Sequence, residues 1–165
     1  MVESSFVEKT MRSVPPAMNP ELDRLLRALE PASAENLDLR LRFGLLCAER
    51  VAHLLEQPEV MACLSALRAI VAQGSTGGLP ALAARADELA HQHPGSKSLD
   101  GVGHAAVSAT YACAKAAAGR ARQAAEYAAY AAVYGQGGYG ATSDPTAFEP
   151  EHEWQAAQLR RLLDA

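Results

Sequence analysis

The sequence predicts an all-α protein, a compact bundle of six or seven helices with alanine-rich helices at its centre. Three observations predict it. The chain is 49% hydrophobic but only 5% aromatic, and no run of four to eight β-branched or aromatic residues alternates with polar ones as a half-buried strand requires. Alanine, the strongest helix former, fills over half of residues 105–132. Apolar residues elsewhere recur at three- and four-residue spacing, between capping residues, prolines and glycines set where helices start and stop. A chain of 165 residues is one domain by length and buries about two thirds of its unfolded surface without disulfides or metals.

Residues 1–18 read as a flexible tail, in which Ser5 and Glu8 form a capping box for a short turn that Pro15-Pro16 ends. Residues 19–165 form the single helical domain. In "NPELDRLLRALEP" Asn19 is the cap, Pro20 takes the first helical position, Glu21 and Asp23 favour the positive helix end, and Pro31 stops the helix. Ser33 starts a longer helix, closed by Pro58, with Leu37, Leu41, Leu45, Ala48 and Leu55 on its inner stripe. Another follows from Glu59 to Gln73, with Val60, Leu64, Leu67 and Val71 inward and Gly74 at its end. A short helix around residues 80–91 turns Leu82, Ala86 and Leu89 inward. From Leu99 to Tyr134 the pattern is helical with a break near Gly119, and Ala106, Ala109, Thr110, Cys113 and Ala117 give it a small-residue face suited to the centre of a bundle. A loop of roughly sixteen residues, "GQGGYGATSDPTAFEP", precedes the terminal helix "EHEWQAAQLRRLLDA"; loops that long inside a compact domain are usually functional or disordered.

The net charge of −4 gives no general attraction for nucleic acid or an anionic membrane. Lys115, Arg120, Arg122 and Glu126 interrupt the alanine-rich stretch and exclude a membrane-spanning helix there. The first residues carry acids and no apolar core, unlike a secretory signal. Cys47, Cys63 and Cys113 are widely spaced, each among apolar neighbours, and read as buried thiols of a reducing compartment. The expected location is the cytosol.

Candidate chemistry is sparse. His91 and His93 in "HQHPG" have the spacing of a loop metal pair, but a site needs three or four ligands, so exposed loop histidines are expected and no metal or other cofactor. His104 could share a helix face with Tyr111, Lys115 and Arg122 and do acid–base work, yet no nucleophile with an orienting partner accompanies it. "GQGGYG" follows a helix and lacks the strand and the lysine of a phosphate loop. The alternatives to a binding role are a histidine-based metal protein or enzyme, and a helical scaffold that associates with itself.

Tyr127, Tyr130 and Tyr134 share one helical face. The first two are expected to pack against the terminal helix, under Trp154. Tyr134 and Tyr139 are the contact candidates, because a tyrosine presents a large ring with a polar tip. Asp144, Glu149, Glu151 and Glu153 add four acids, with no Lys or Arg between residues 141 and 159. Rings that anchor and acids that steer suit a basic protein partner. The expected contact set is Tyr134, Tyr139, Asp144, Phe148, Glu149 and Glu151.

Five segments, "CAERVAHLLEQ" (47–57), "ALRAIVAQG" (66–74), "GHAAVSATYA" (103–112), "AAEYAAYAA" (124–132) and "EHEWQAAQL" (151–159), in this order, resemble the fifth numbered family of all-helical immunity proteins of bacterial polymorphic toxin systems. The resemblance covers roughly residues 40–165. Its most specific elements are Cys47-Ala48-Glu49, Gly103-His104-Ala105, Tyr127-Ala128, and Glu151 with Trp154-Gln155. The chain departs from the family pattern where Tyr111 replaces a second histidine, so no role of that histidine carries over. It also lacks the usual proline-histidine stretch between the alanine helices, and its glycine-rich loop reads as an insertion. The resemblance implies a cytosolic, non-enzymatic protein that binds a cognate toxin domain and blocks it. Cys47, Glu49, His104, Tyr127 and Trp154 are then structural, and a homodimer through the tyrosine stripe is the competing assembly.

Overall fold

The computed structural model describes residues 17–165, and the capping box expected at Ser5 and Glu8 lies outside them. The described chain is all-helical. Helix α1 (Pro20–Ala28) starts where Asn19 Oδ1 accepts the Leu22 N–H at 3.0 Å, which satisfies one of the free amides of the first turn. Ser33 Oγ does the same for Asn36 at the head of α2 (Ala34–Arg50). This helix ends before the proline that was expected to stop it. A 3₁₀ turn, Ala52–Leu54, carries the chain to α3 (Pro58–Gln73), which Gly74 closes at φ 70°. Helix α4 spans Leu79–His91 and α5 spans His104–Ala117.

The expected inner stripes are found, except that Leu55, though buried, lies beyond the end of α2 and Leu82 of α4 is only half-buried. Val60, Leu64, Leu67 and Val71 of α3 are all buried, as are Leu41, Leu45 and Ala48 of α2, with Leu37 half-buried. Helix α5 is the centre of the molecule. Each of its residues except Lys115 is buried, and it packs against α2, α3, α4 and α6. A helix surrounded this way cannot carry long side chains on every face, because interaxial distance is set by the side chains at the contact. Its alanines solve that. At the α2 crossing, a Cβ on Gly44 would lie 3.1 Å from the Ala116 Cα, so the two backbones are almost in contact.

The break near Gly119 is present, at φ +72°, and α5 and α6 pair as an antiparallel helical hairpin. The stretch from Leu99 to Gly103, expected as helix, is instead a turn ending at His104. The sixteen-residue loop is also corrected. Helix α6 runs from Ala121 through Gly135 to Thr142, with a kink at Gly137 and Gly138. A 3₁₀ turn, Pro145–Phe148, leads directly into α7 (Glu149–Asp164). Gly138 sits at φ 58°, ψ −143°, a conformation essentially reserved for glycine. A tertiary contact described below overrides the poor helix propensity of these glycines.

Helix α7 is tied to the bundle at its middle and in its C-terminal half. Gln155 Nε2 donates to the Ala125 carbonyl at 2.9 Å, and Arg160 grips Glu21 through two bonds of 2.6 and 2.7 Å. Among the described residues no helix is long and apolar enough to cross a membrane.

Candidate contact surface

Two glycines bring separate segments together at one end of the bundle. A Cβ on Gly138 would collide with the Asp100 carbonyl oxygen, and one on Gly101, at φ +86°, would lie 2.8 Å from the Tyr139 ring. The resulting approach lets the Tyr139 N–H donate to the Asp100 carbonyl at 2.7 Å. Below this junction the Tyr139 hydroxyl and His104 Nε2 share a hydrogen bond of 2.5 Å. The His104 ring meets those of Tyr134 and Tyr139 edge-on, with centroids 5.4 and 5.3 Å away. His104 is buried and held in this aromatic box, and Arg122, expected on the same helix face, lies on α6 beyond the break at Gly119.

Three large apolar side chains on the two joined segments are exposed. Leu99 is 100% exposed, Val102 39% and Tyr139 36%. Asp100 stands between the first two. Its carboxylate accepts the Ser98 hydroxyl at 2.6 Å and the Val102 N–H at 3.1 Å, bonds that hold its pKa below the usual aspartate range. Asp144 caps the following 3₁₀ turn, accepting from the Thr146 N–H and hydroxyl, and it remains exposed together with Glu149. The turn is therefore fixed by its own hydrogen bonds, with negative charges at its edge.

The expected contact set is corrected in three places. Tyr134 is 0% exposed and Phe148 1%. Phe148 packs edge-on against Tyr130, 4.9 Å between centroids, which continues the aromatic interior. Glu151 is buried and bonded to Arg50, Nε to Oε2 at 2.6 Å, while the Arg50 guanidinium lies 4.2 Å over the Trp154 ring. These three residues are internal because the segment from 135 to 150 is folded back on the bundle. Tyr139, Asp144 and Glu149 stay at the surface. Tyr127 packs on α5, stacked on Tyr111 at 5.0 Å. Cys47 is fully buried, and Glu49 pairs with Arg68 at 2.7 Å.

His93, expected to be exposed, is buried, and its Nδ1 accepts the Gly95 N–H. His91 stays exposed at the end of α4. No group of three or more His, Cys, Asp or Glu among the described residues is placed to hold a metal ion. Burial pushes the Tyr130 phenol up to about 12 and the Cys113 thiol to about 12, and raises Tyr134 and Cys47 as well. At neutral pH these groups are protonated, which suits packing and not nucleophilic attack.

Sequence reasoning missed Leu99, Asp100 and Val102. The signal was present in "SKSLDGVG": turn residues surround a lone leucine, so no helical stripe could absorb it.

Comparison of the chain with family models, curated proteins and solved structures finds no match.

Proposed function

We propose that this chain is a cytosolic bacterial immunity protein, which neutralises a cognate toxin domain by forming a stoichiometric complex. The observation that carries the proposal is the exposure of Leu99, Val102 and Tyr139 on two segments joined by the Tyr139–Asp100 hydrogen bond, with Asp100 between the first two and Asp144 exposed on the segment after Tyr139. A leucine left wholly in water forgoes about 1.5–3 kcal/mol of burial. A partner that encloses it recovers that term. The ordering cost is small, because Tyr139 and Asp100 are already fixed.

The acids define the partner's chemistry. From residue 135 to residue 159 the chain carries the exposed Asp144, Glu149 and Glu153 and no Lys or Arg, Glu151 being paired with Arg50, so the complementary surface is basic. A toxin domain that handles a phosphate-rich substrate has such a surface at its active site. Covering it blocks substrate entry without any reaction on the inhibitor. The ordered segments described above, from Cys47 to Leu159, support the immunity class by resemblance, and the commitment of His104 to packing supports a binding role over turnover.

Growth rescue tests the proposal. The protein that co-purifies with this chain from its native cells is identified and expressed alone, then with the immunity chain. The toxin domain is expected to arrest growth alone, and co-expression to restore it. A Leu99→Asp, Tyr139→Ser variant is expected to lose rescue while keeping its helical content. Full rescue by that variant would remove the patch from the interface, and a co-purifying protein with no toxicity would remove the immunity reading. The same patch suits a second copy of this chain, and light scattering over a range of concentrations separates that scaffold reading from a monomeric inhibitor.

A further inference from the structure

We propose that the cleft between the end of α1 and the start of α6 binds a phosphoryl anion through Arg40, Arg120 and Arg122. The cleft, about 390 Å³, is lined by these three arginines and by a single carboxylate, that of Glu30. Guanidinium groups gathered this closely repel one another wherever no negative group lies between them.

Two of the arginines are already in place. Arg40 donates from Nη1 to the Leu29 carbonyl at 2.6 Å and from Nε to the Gly119 carbonyl at 3.2 Å. Both acceptors are neutral, so these bonds orient the group without cancelling its charge. Arg122 is fixed by Asp23 at 2.8 Å, and Glu30 lies 3.9 Å from its other terminal nitrogen. Arg122 is thus met by Asp23 and Glu30 and attracted by Glu126, whereas Arg40 and Arg120 form no ion pair among the described residues. Arg120 is exposed at the rim and supplies the arm that closes over a ligand. Planar guanidinium forks match phosphoryl oxygens in geometry as well as charge. The volume admits a free phosphate or the phosphate of a mononucleotide. This site is on a different part of the fold from the contact patch and does not depend on the immunity reading.

Calorimetric titration of the full chain with inorganic phosphate and with adenosine monophosphate, in about 0.15 M NaCl to suppress diffuse attraction, tests the site. Saturable one-to-one binding is expected, weakened at least fivefold by Arg120→Gln. It should change less than twofold on Arg85→Gln, an equal charge change on α4 outside the cleft. Equal affinity for the two probes assigns the site to free phosphate, and a tenfold preference for the nucleotide assigns it to the larger ligand. Absence of saturable binding at concentrations on the order of 10 mM, or binding that Arg120→Gln leaves unchanged, overturns the proposal.

Discussion

Gly138 is the residue on which the contact end of the molecule depends. Its φ of 58° and ψ of −143° are closed to residues with a Cβ, and the space a Cβ needs is taken by the Asp100 carbonyl. Gly138→Ala is therefore expected to cost at least on the order of 1–3 kcal/mol in denaturant unfolding. It should also release Tyr139 from Asp100, seen as loss of amide-exchange protection at Tyr139. An unchanged midpoint with protection intact would contradict this geometry. His152 gives a second residue-scale test. Burial depresses its pKa below the ordinary 6.5, against the opposing pull of Glu151. The unfolded imidazole takes up a proton near its ordinary pKa, and the folded one only at lower pH. The contribution is thus fully present above the unfolded pKa and lost as pH falls through the folded one. Urea unfolding should show the native chain losing more stability between pH 7 and pH 5 than His152→Gln does. Glu126, whose buried carboxyl has a raised pKa, acts in the opposite sense in both proteins and cancels in the comparison. An equal loss in the two would show that His152 is not desolvated.

At the scale of elements, the central claim is that α5 is positioned by the smallness of its side chains. Ala116, fully buried against Gly44, is expected to reject a larger residue. Ala116→Leu should cost about 1–3 kcal/mol, whereas Ala62→Leu on the exposed face of α3 should stay within about 0.5 kcal/mol. Thermal and urea unfolding of the pair check this, and equal effects would mean that the α2–α5 crossing has room. This level of structure was the most legible in the sequence. Asn19, Ser33, Gly74 and Gly119 mark boundaries by local chemistry that tertiary contacts did not override. Where the reading failed, a distant contact decided the outcome. Leu99–Gly103 sits beside alanine helix and reads as its first turn, but Gly101 and Gly138 meet across 37 positions of sequence, and no local pattern encodes that approach. The glycine-rich stretch reads as a loop for the same reason, although the packing of Tyr139 on His104 and Gly101 keeps it helical around a kink.

At the scale of the whole molecule, the helices form a core of small residues, with rings concentrated along α6 and a fixed, partly apolar, acidic end. Only part of that end was legible. Tyr139, Asp144 and Glu149 were identified from residue type and position, and they are exposed. Tyr134, Phe148 and Glu151 are likewise aromatic or acidic, but large rings and paired carboxylates serve interiors as readily as interfaces. Their burial depends on how α6 and α7 fold onto α2, which one chain's periodicity does not contain. The account as a whole rests on a protein that binds and does not turn anything over. Inhibition of the toxin domain proposed as its partner, measured as this chain is titrated into it well above the dissociation constant, tests this most directly. Residual toxin activity is predicted to fall linearly and vanish at one equivalent, with Leu99→Asp requiring a large excess; complete inactivation by a small fraction of an equivalent would show catalysis and contradict it.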